Sequence, residues 1–245
     1  MDIQIEALRK AYGPFNLSIP ALDIPTGQCV GIVGNNGAGK TTLLRCLLDL
    51  TEPDSGHIRI GSQTVGRDDG WKREVGAFLD SRFLFDFLRP AEYFRYVGSL
   101  YGRSSEEVDT LVGFYGALLG PDLTAGHAPL IRDLSTGNAR KVGLIGALLV
   151  GPSVIVLDEP FATLDPRAQL RLRDVLLQQT RDLGTTLLLS SHNLLHVAEI
   201  CDRILVIDNG RVARDFAPDS ASLSDLEAFF GDESSTEGTE SRDVV

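Results

Sequence analysis

The stretch Cys29-Val-Gly-Ile-Val33-Gly34-Asn35-Asn36-Gly37-Ala38-Gly39-Lys40-Thr41-Thr42 decides how the rest of this chain is read. Cys29 to Val33 is an apolar run with strand character, and Thr41 to Leu50 continues with helical spacing. Between them Gly34 to Thr41 satisfies G-x-x-x-x-G-K-S/T, in the strand–loop–helix context that a phosphate loop requires. Glycines let backbone N–H groups close around phosphate, and the helix N-terminus adds a positive dipole. Lys40 then reaches the outer phosphates and Thr41 offers its hydroxyl to Mg²⁺. Asn35, Asn36, Gly37, Ala38, Gly39, Lys40, Thr41 and Thr42 are therefore candidate phosphate-binding residues.

A second stretch supplies acid. Val154-Ile-Val-Leu-Asp158-Glu159-Pro160 is an apolar strand ending in two carboxylates. A solvated pair at a strand end would explain it alone, but behind a phosphate loop the pair can hold Mg²⁺ and polarise a water. Asp158 is the metal-side residue and Glu159 the candidate general base. Further on, Thr186-Leu-Leu-Leu189 is another buried-strand run, separated from the first by a helix rich in Leu and Arg. Such alternation predicts parallel strands with crossover helices, an α/β fold.

The segment up to about Thr26 reads as short strands punctuated by Gly13-Pro14, Pro20 and Pro25, an antiparallel β layer near the N-terminus. From Pro90 to Leu119 the pattern is helical, with Tyr93, Val97, Leu100 and Tyr101 at helical spacing and Ser104 with Glu107 forming a capping box. This predicts one α/β unit over 1–231 with a helical insertion over about 86–150. Residues 232–245 carry five acidic side chains against Arg242 and almost no apolar ones, so they cannot offset the entropy of ordering.

At 245 residues the chain has room for one such domain. A net charge of −11 and a pI near 4.8 argue against nucleic acid as a partner, because phosphates need Lys and Arg to neutralise them. The three cysteines, Cys29, Cys46 and Cys201, have neither metal-ligand spacing nor disulfide-scaffold density, which fits a reducing cytoplasm. The opening residues lack the build of a signal peptide. The most apolar stretch, Val142 to Leu157, is split by Pro152 and falls short of the roughly 20 residues of a bilayer span. Membrane association would then come through a partner chain.

Leu134-Ser135-Thr136-Gly137-Asn138 lies between the two nucleotide motifs, and with the following Ala139-Arg140-Lys141-Val142 it resembles the signature segment of the ABC ATPase family. The resemblance extends over about residues 2–214. Ser135 as N-cap and Gly137 at a helix start make a second anion site, able to serve a phosphate held by another chain. The resemblance implies ATP and Mg²⁺ as cofactors, ATP hydrolysis, and a homo- or heterodimer of ATPase subunits sandwiching two nucleotides. It also implies a separate integral membrane subunit, with this chain cytoplasmic and peripheral on the inner face of the membrane. Tyr12 sits where the family stacks a ring on adenine, the alternative being a half-buried strand tyrosine. Phe161-Ala-Thr-Leu-Asp165 resembles the loop that crosses the dimer interface, and His192 in Ser190-Ser-His192 the switch histidine. Three positions depart from the family: Asp80 stands where a metal-side glutamine is expected, and Thr136 and Asn138 replace Gly and Gln. The aromatic run Phe83, Phe85 and Phe87 either fills the helical core or meets the membrane subunit. Val75 to Gly102 and the signature Ser135-Thr-Gly-Asn138 resemble single-cassette export subunits, with importers and soluble ABC ATPases as alternatives. A P-loop kinase or GTPase is a rival of another class, but no guanine-reading Asn/Thr-Lys-x-Asp occurs.

Overall fold

The computed structural model describes residues 1–124 and 128–218; the expected tail 232–245 lies outside them. Alternating apolar residues pair β1 (Ile3–Tyr12) and β2 (Phe15–Ile24) as a hairpin across Gly13-Pro14. Pro20 does not interrupt the strand as the sequence suggested. It falls between the pairs Glu6–Ala21 and Leu8–Ile19, opposite Ala7, whose φ of 49° breaks regular pairing, and β2 is an edge strand. A missing N–H costs little there. With β4 (Ser55–Ile60) and β5 (Gln63–Thr64) these strands form an antiparallel sheet of order β2-β1-β4-β5.

The second sheet contains β3 (Cys29–Val33), β6 (Val75–Phe78), β7 (Val154–Leu157), β8 (Thr186–Ser191), β9 (Arg203–Asp208) and β10 (Arg211–Phe216). Among the described residues its order is β10-β9-β3-β8-β7-β6, parallel except for β10. Both faces are covered, so β3 and β7 are apolar throughout and β8 is apolar over Leu187–Leu189. Cys29, Val33, Ile155 and Leu157 join a core with the helices of one face, while Val30, Ile32, Val154 and Val156 join a core with β1, β2, β4 and α1 (Lys40–Leu47).

On the first face lie α2 (Pro90–Leu100), α3 (Ser105–Phe114), α4 (Gly116–Leu119), α5 (Pro121–Thr124), α6 (Thr136–Leu148), α7 (Pro166–Arg181) and α8 (Leu194–Ala198). The capping box at Ser104 and Glu107 is formed, and Pro90 opens α2. The buried stripe of α2 is Pro90, Phe94 and Gly98 rather than one reaching Leu100, which is exposed. Gly98 is what lets Val108 of α3 pack so close; a Cβ there would overlap it. Helix α6 buries Val142, Leu144, Ile145 and Leu148, each contributing about 1.5–3 kcal/mol as an upper estimate. Among the described residues no helix is long and apolar enough to cross a membrane. Phe83, Phe85 and Phe87 do not fill the helical core: they are 57%, 40% and 61% exposed.

Register sets the site. Val33 pairs with Ser191, Leu157 with Leu189 and Phe78 with Leu157, so β3 and β8 end level with each other and β6 and β7 end level two residues earlier, at the same edge. The residues that follow them converge on one edge, where open parallel sheets bind ligands.

Candidate functional site

Gly34 follows β3 directly, and any Cβ on it would collide with the Ile207 carbonyl of β9. Only glycine lets the loop leave the sheet at this point. Gly39, at φ 114°, then turns the chain into α1. Asn35, Asn36 and Gly37 are exposed, while Ala38 and Lys40 are buried and Thr42 lies in the first turn of α1. Lys40 Nζ donates to the carbonyls of Gly34 (2.6 Å) and Asn35 (3.2 Å). Burial pushes the Lys40 ammonium below its ordinary pKa, and the Glu159 and Asp158 carboxylates pull it back up.

Thr41 Oγ1 donates to Asp158 Oδ2 at 2.7 Å. The other oxygen, Asp158 Oδ1, accepts from the buried Ser190 hydroxyl, whose oxygen in turn accepts the Glu159 N–H at 3.0 Å. Glu159 Oε2 lies 2.9 Å from His192 Nδ1, and the Glu159 carbonyl accepts from Arg140 Nη1 at 2.6 Å. One connected set of contacts thus joins α1, β7, β8 and α6. Lys40, Thr41, Asp158, Glu159 and His192, read separately from sequence, are brought together.

A hydroxyl and a carboxylate meeting at the phosphate loop are hard oxygen donors, which suit Mg²⁺. Among the described residues no group of three or more His, Cys, Asp or Glu could cage a metal by itself.

Asp80 is placed differently from the others. Its carboxylate accepts from the Arg82 backbone N–H (2.8 Å) and from Arg82 Nε (3.0 Å) and Nη2 (2.8 Å), capping a short 3-10 turn over Ser81–Phe83. The hydrogen bond from the Arg82 side chain holds its pKa below the usual value. Tyr12 ends β1 on the antiparallel sheet, 49% exposed, with Lys10 Nζ 5.4 Å from its ring centre and its hydroxyl 3.4 Å from Thr51 Oγ1. Ser135 caps α6, its Oγ accepting from Asn138 N–H at 3.3 Å. Gly137 packs against the next loop: a Cβ on it would come within 2.8 Å of the Thr163 carbonyl. Asp165 caps α7.

Two residues at this edge were given no role from sequence. Ser190 was only part of a motif around His192, and what marks it is register: Leu157 beside Leu189 puts position 158 beside 190. Arg140 was read only as part of the helix after the signature. One helical turn beyond Gly137, it shares that residue's face of α6, the signal that could have found it.

A phosphate loop on a mostly parallel sheet, with an antiparallel sheet beside it and paired carboxylates at its edge, defines an ATP-binding cassette. Residues 17–162 match the family model described as ABC transporter, and the chain belongs to that family. It is 35% identical over 204 residues to the methionine import ATP-binding protein MetN of Cereibacter sphaeroides, covering 80% of this chain and 56% of that one. It is 31% identical over 222 residues to the sulfate/thiosulfate import ATP-binding protein CysA of Salmonella typhimurium, covering 89% and 61%. The chain spans little more than half the length of such relatives. The dimeric structure of MJ0796, a bacterial ABC transporter cassette, superposes with a TM-score of 0.79 at 22% identity, covering 89% of this chain and 99% of that one.

Proposed function

We propose that this chain is the ATP-hydrolysing motor of a transporter whose passage is formed by a separate membrane subunit. The observation that carries the chemistry is the contact set Thr41–Asp158–Ser190–Glu159–His192 above the phosphate loop. In this reading Lys40 and the loop amides bind the phosphates of ATP, with Asn35 to Thr42 around them. Glu159 takes the proton of the attacking water, and His192 fixes the carboxylate from the other side. Thr41 and Asp158 would hold Mg²⁺, which supplies charge stabilisation on the phosphates when bound. Tyr12 is proposed to stack on adenine, and Ser135 and Gly137 to meet the nucleotide of a partner ATPase subunit.

The exposed cluster of Phe83, Phe85, Phe87 and Tyr96 supports a membrane partner. Phe85 lies tilted against Phe87, ring centres 6.0 Å apart, and edge-on to Tyr96 at 5.1 Å, an aromatic surface of the kind enriched at interfaces. Through such a partner the chain would sit at the inner face of the membrane. Export was the expectation from Val75 to Gly102; MetN and CysA are named for import, so import is at least as well supported. Uptake or efflux by vesicles carrying the co-purified membrane subunit decides the direction.

The catalytic assignment is tested by Lys40→Ala and Glu159→Gln. Lys40→Ala is expected to weaken nucleotide binding. Glu159→Gln is expected to keep it, lose roughly 10²- to 10⁴-fold in turnover and elute as a dimer with Mg-ATP. Near wild-type hydrolysis by Glu159→Gln would overturn the assignment.

A further inference from the structure

We propose that Arg140 is a positioning residue, holding the backbone of Glu159 in the geometry hydrolysis needs; this rests on reading Glu159 as the general base. Glu159 has φ of 49°, a left-handed conformation that is strained for a non-glycine residue. It also precedes Pro160, which favours an extended residue before it. Such a conformation persists only where the surroundings over-determine it. Ser190 holds the N–H of Glu159, and Arg140 holds its carbonyl.

Arg140 is itself fixed. It is half-buried, and its guanidinium carbon lies 5.7 Å from the Phe78 ring centre at the end of β6. Burial lowers its pKa, while the carboxylates of Asp80, Glu159 and Asp158 act in the opposite direction. Its Nε is buried with no hydrogen-bond partner, which carries a cost in stability. Its neighbours grip the same loop further on. Gly137 lies against the Thr163 carbonyl, and Lys141 Nζ is 3.8 Å from Asp165 Oδ2. The first turns of α6 therefore hold Glu159–Asp165 at both ends, and Arg140 is the contact that reaches the reacting residue.

The test is Mg-ATPase kinetics of Arg140→Met, Arg140→Lys, Glu159→Gln and the double variants of each Arg140 change with Glu159→Gln. Arg140→Met keeps the length of the chain and orphans no carbonyl, since Ala162 N–H also reaches the Glu159 oxygen at 3.1 Å. Its kcat is expected to fall about 10- to 100-fold, the scale of a misplaced catalytic group, with KM and fluorescent-ATP affinity within about twofold. Its Tm should stay within about 2 °C of the wild type, because the buried unpartnered Nε goes together with the bond to the carbonyl. Arg140→Lys should recover at least half of the loss on a logarithmic scale. In the Glu159→Gln background Arg140→Met should change the residual rate less than about twofold, since it acts through the missing carboxylate. Wild-type kcat in Arg140→Met overturns the proposal. So does a fall in kcat that carries KM and Tm with it and adds fully to Glu159→Gln, which is the pattern of a structural role. If Arg140→Met does not fold, Arg140→Lys and its double variant carry the same test. Wild-type turnover in Glu159→Gln would instead remove the general-base reading, and this inference with it.

Discussion

Replacing Ser190 with alanine deletes one oxygen atom and with it two hydrogen bonds that no other group can make. Asp158 Oδ1 loses the hydroxyl donor, a bond to a charged acceptor worth about 1.5–3 kcal/mol. Glu159 N–H loses its acceptor, and a buried unsatisfied donor costs about 1–3 kcal/mol. Both bonds share an atom and relax together, so the expected loss of stability is about 2–4 kcal/mol rather than the full sum. At roughly 2–4 °C per kcal/mol for a chain of this size, Tm should fall by about 5–15 °C. The same deletion frees the strained Glu159 backbone on its N–H side, so kcat should drop about tenfold or more while Lys40 and the loop still bind nucleotide. Urea unfolding by linear extrapolation reads the first quantity and steady-state Mg-ATPase the second. A stability change under about 0.5 kcal/mol with unchanged kcat would refute the view that this hydroxyl ties the two carboxylates together.

Asp80→Asn removes the charge that Arg82 pairs with and is expected to shift the Mg²⁺ dependence of the ATPase; superimposable Mg²⁺ titrations for it and the wild type would count against any metal-side role. Burial pushes the Cys46 thiol up to about 11, and the hydrogen bond with Cys29, 3.3 Å away inside the core, together with burial raises Cys201. All three thiols should therefore resist a disulfide reagent at pH 8 in the folded chain and react together on unfolding; a fast-reacting thiol in the native state would contradict their placement.

What the sequence could reveal was local. Gly34 to Thr41 and Asp158-Glu159 are contiguous, and their chemistry is written in residue types at fixed spacing. Strand order is not written that way: β3 lies beside β8 and β9, which follow it by more than a hundred residues. Ser190 acquires its role only when β7 and β8 are set in register, and Arg140 only when α6 is laid over β6. Pro20 misled because proline marks an interruption in an isolated strand, whereas on an edge strand opposite Ala7 it removes nothing. The phenylalanines after Asp80 could not be assigned from composition, since aromatic residues serve cores and interfaces alike. Their exposure decides between the two.

Position 80 joins that aromatic surface to the nucleotide edge, and the charges around it determine what it can do. Asp80, Asp158 and Glu159 place three carboxylates at the ends of β6 and β7, faced by Lys40, Arg82 and Arg140. Arg140 is half-buried and tied to Glu159, whereas the Arg82 side chain is 81% exposed. An ion pair so open to water contributes about 0–1 kcal/mol and the capping bond from the Arg82 N–H about 0.5–2 kcal/mol, so turning Asp80 toward a nucleotide-bound metal would cost at most about 3 kcal/mol. The turn that Asp80 caps, Ser81–Phe83, is also the one that leads into Phe85 and Phe87. Under the proposed function, releasing Arg82 would loosen the start of the partner-facing segment at the moment the nucleotide site fills. A glutamine there would have to exchange neutral hydrogen bonds; a carboxylate exchanges one cation for another, which makes the step sensitive to metal and to salt.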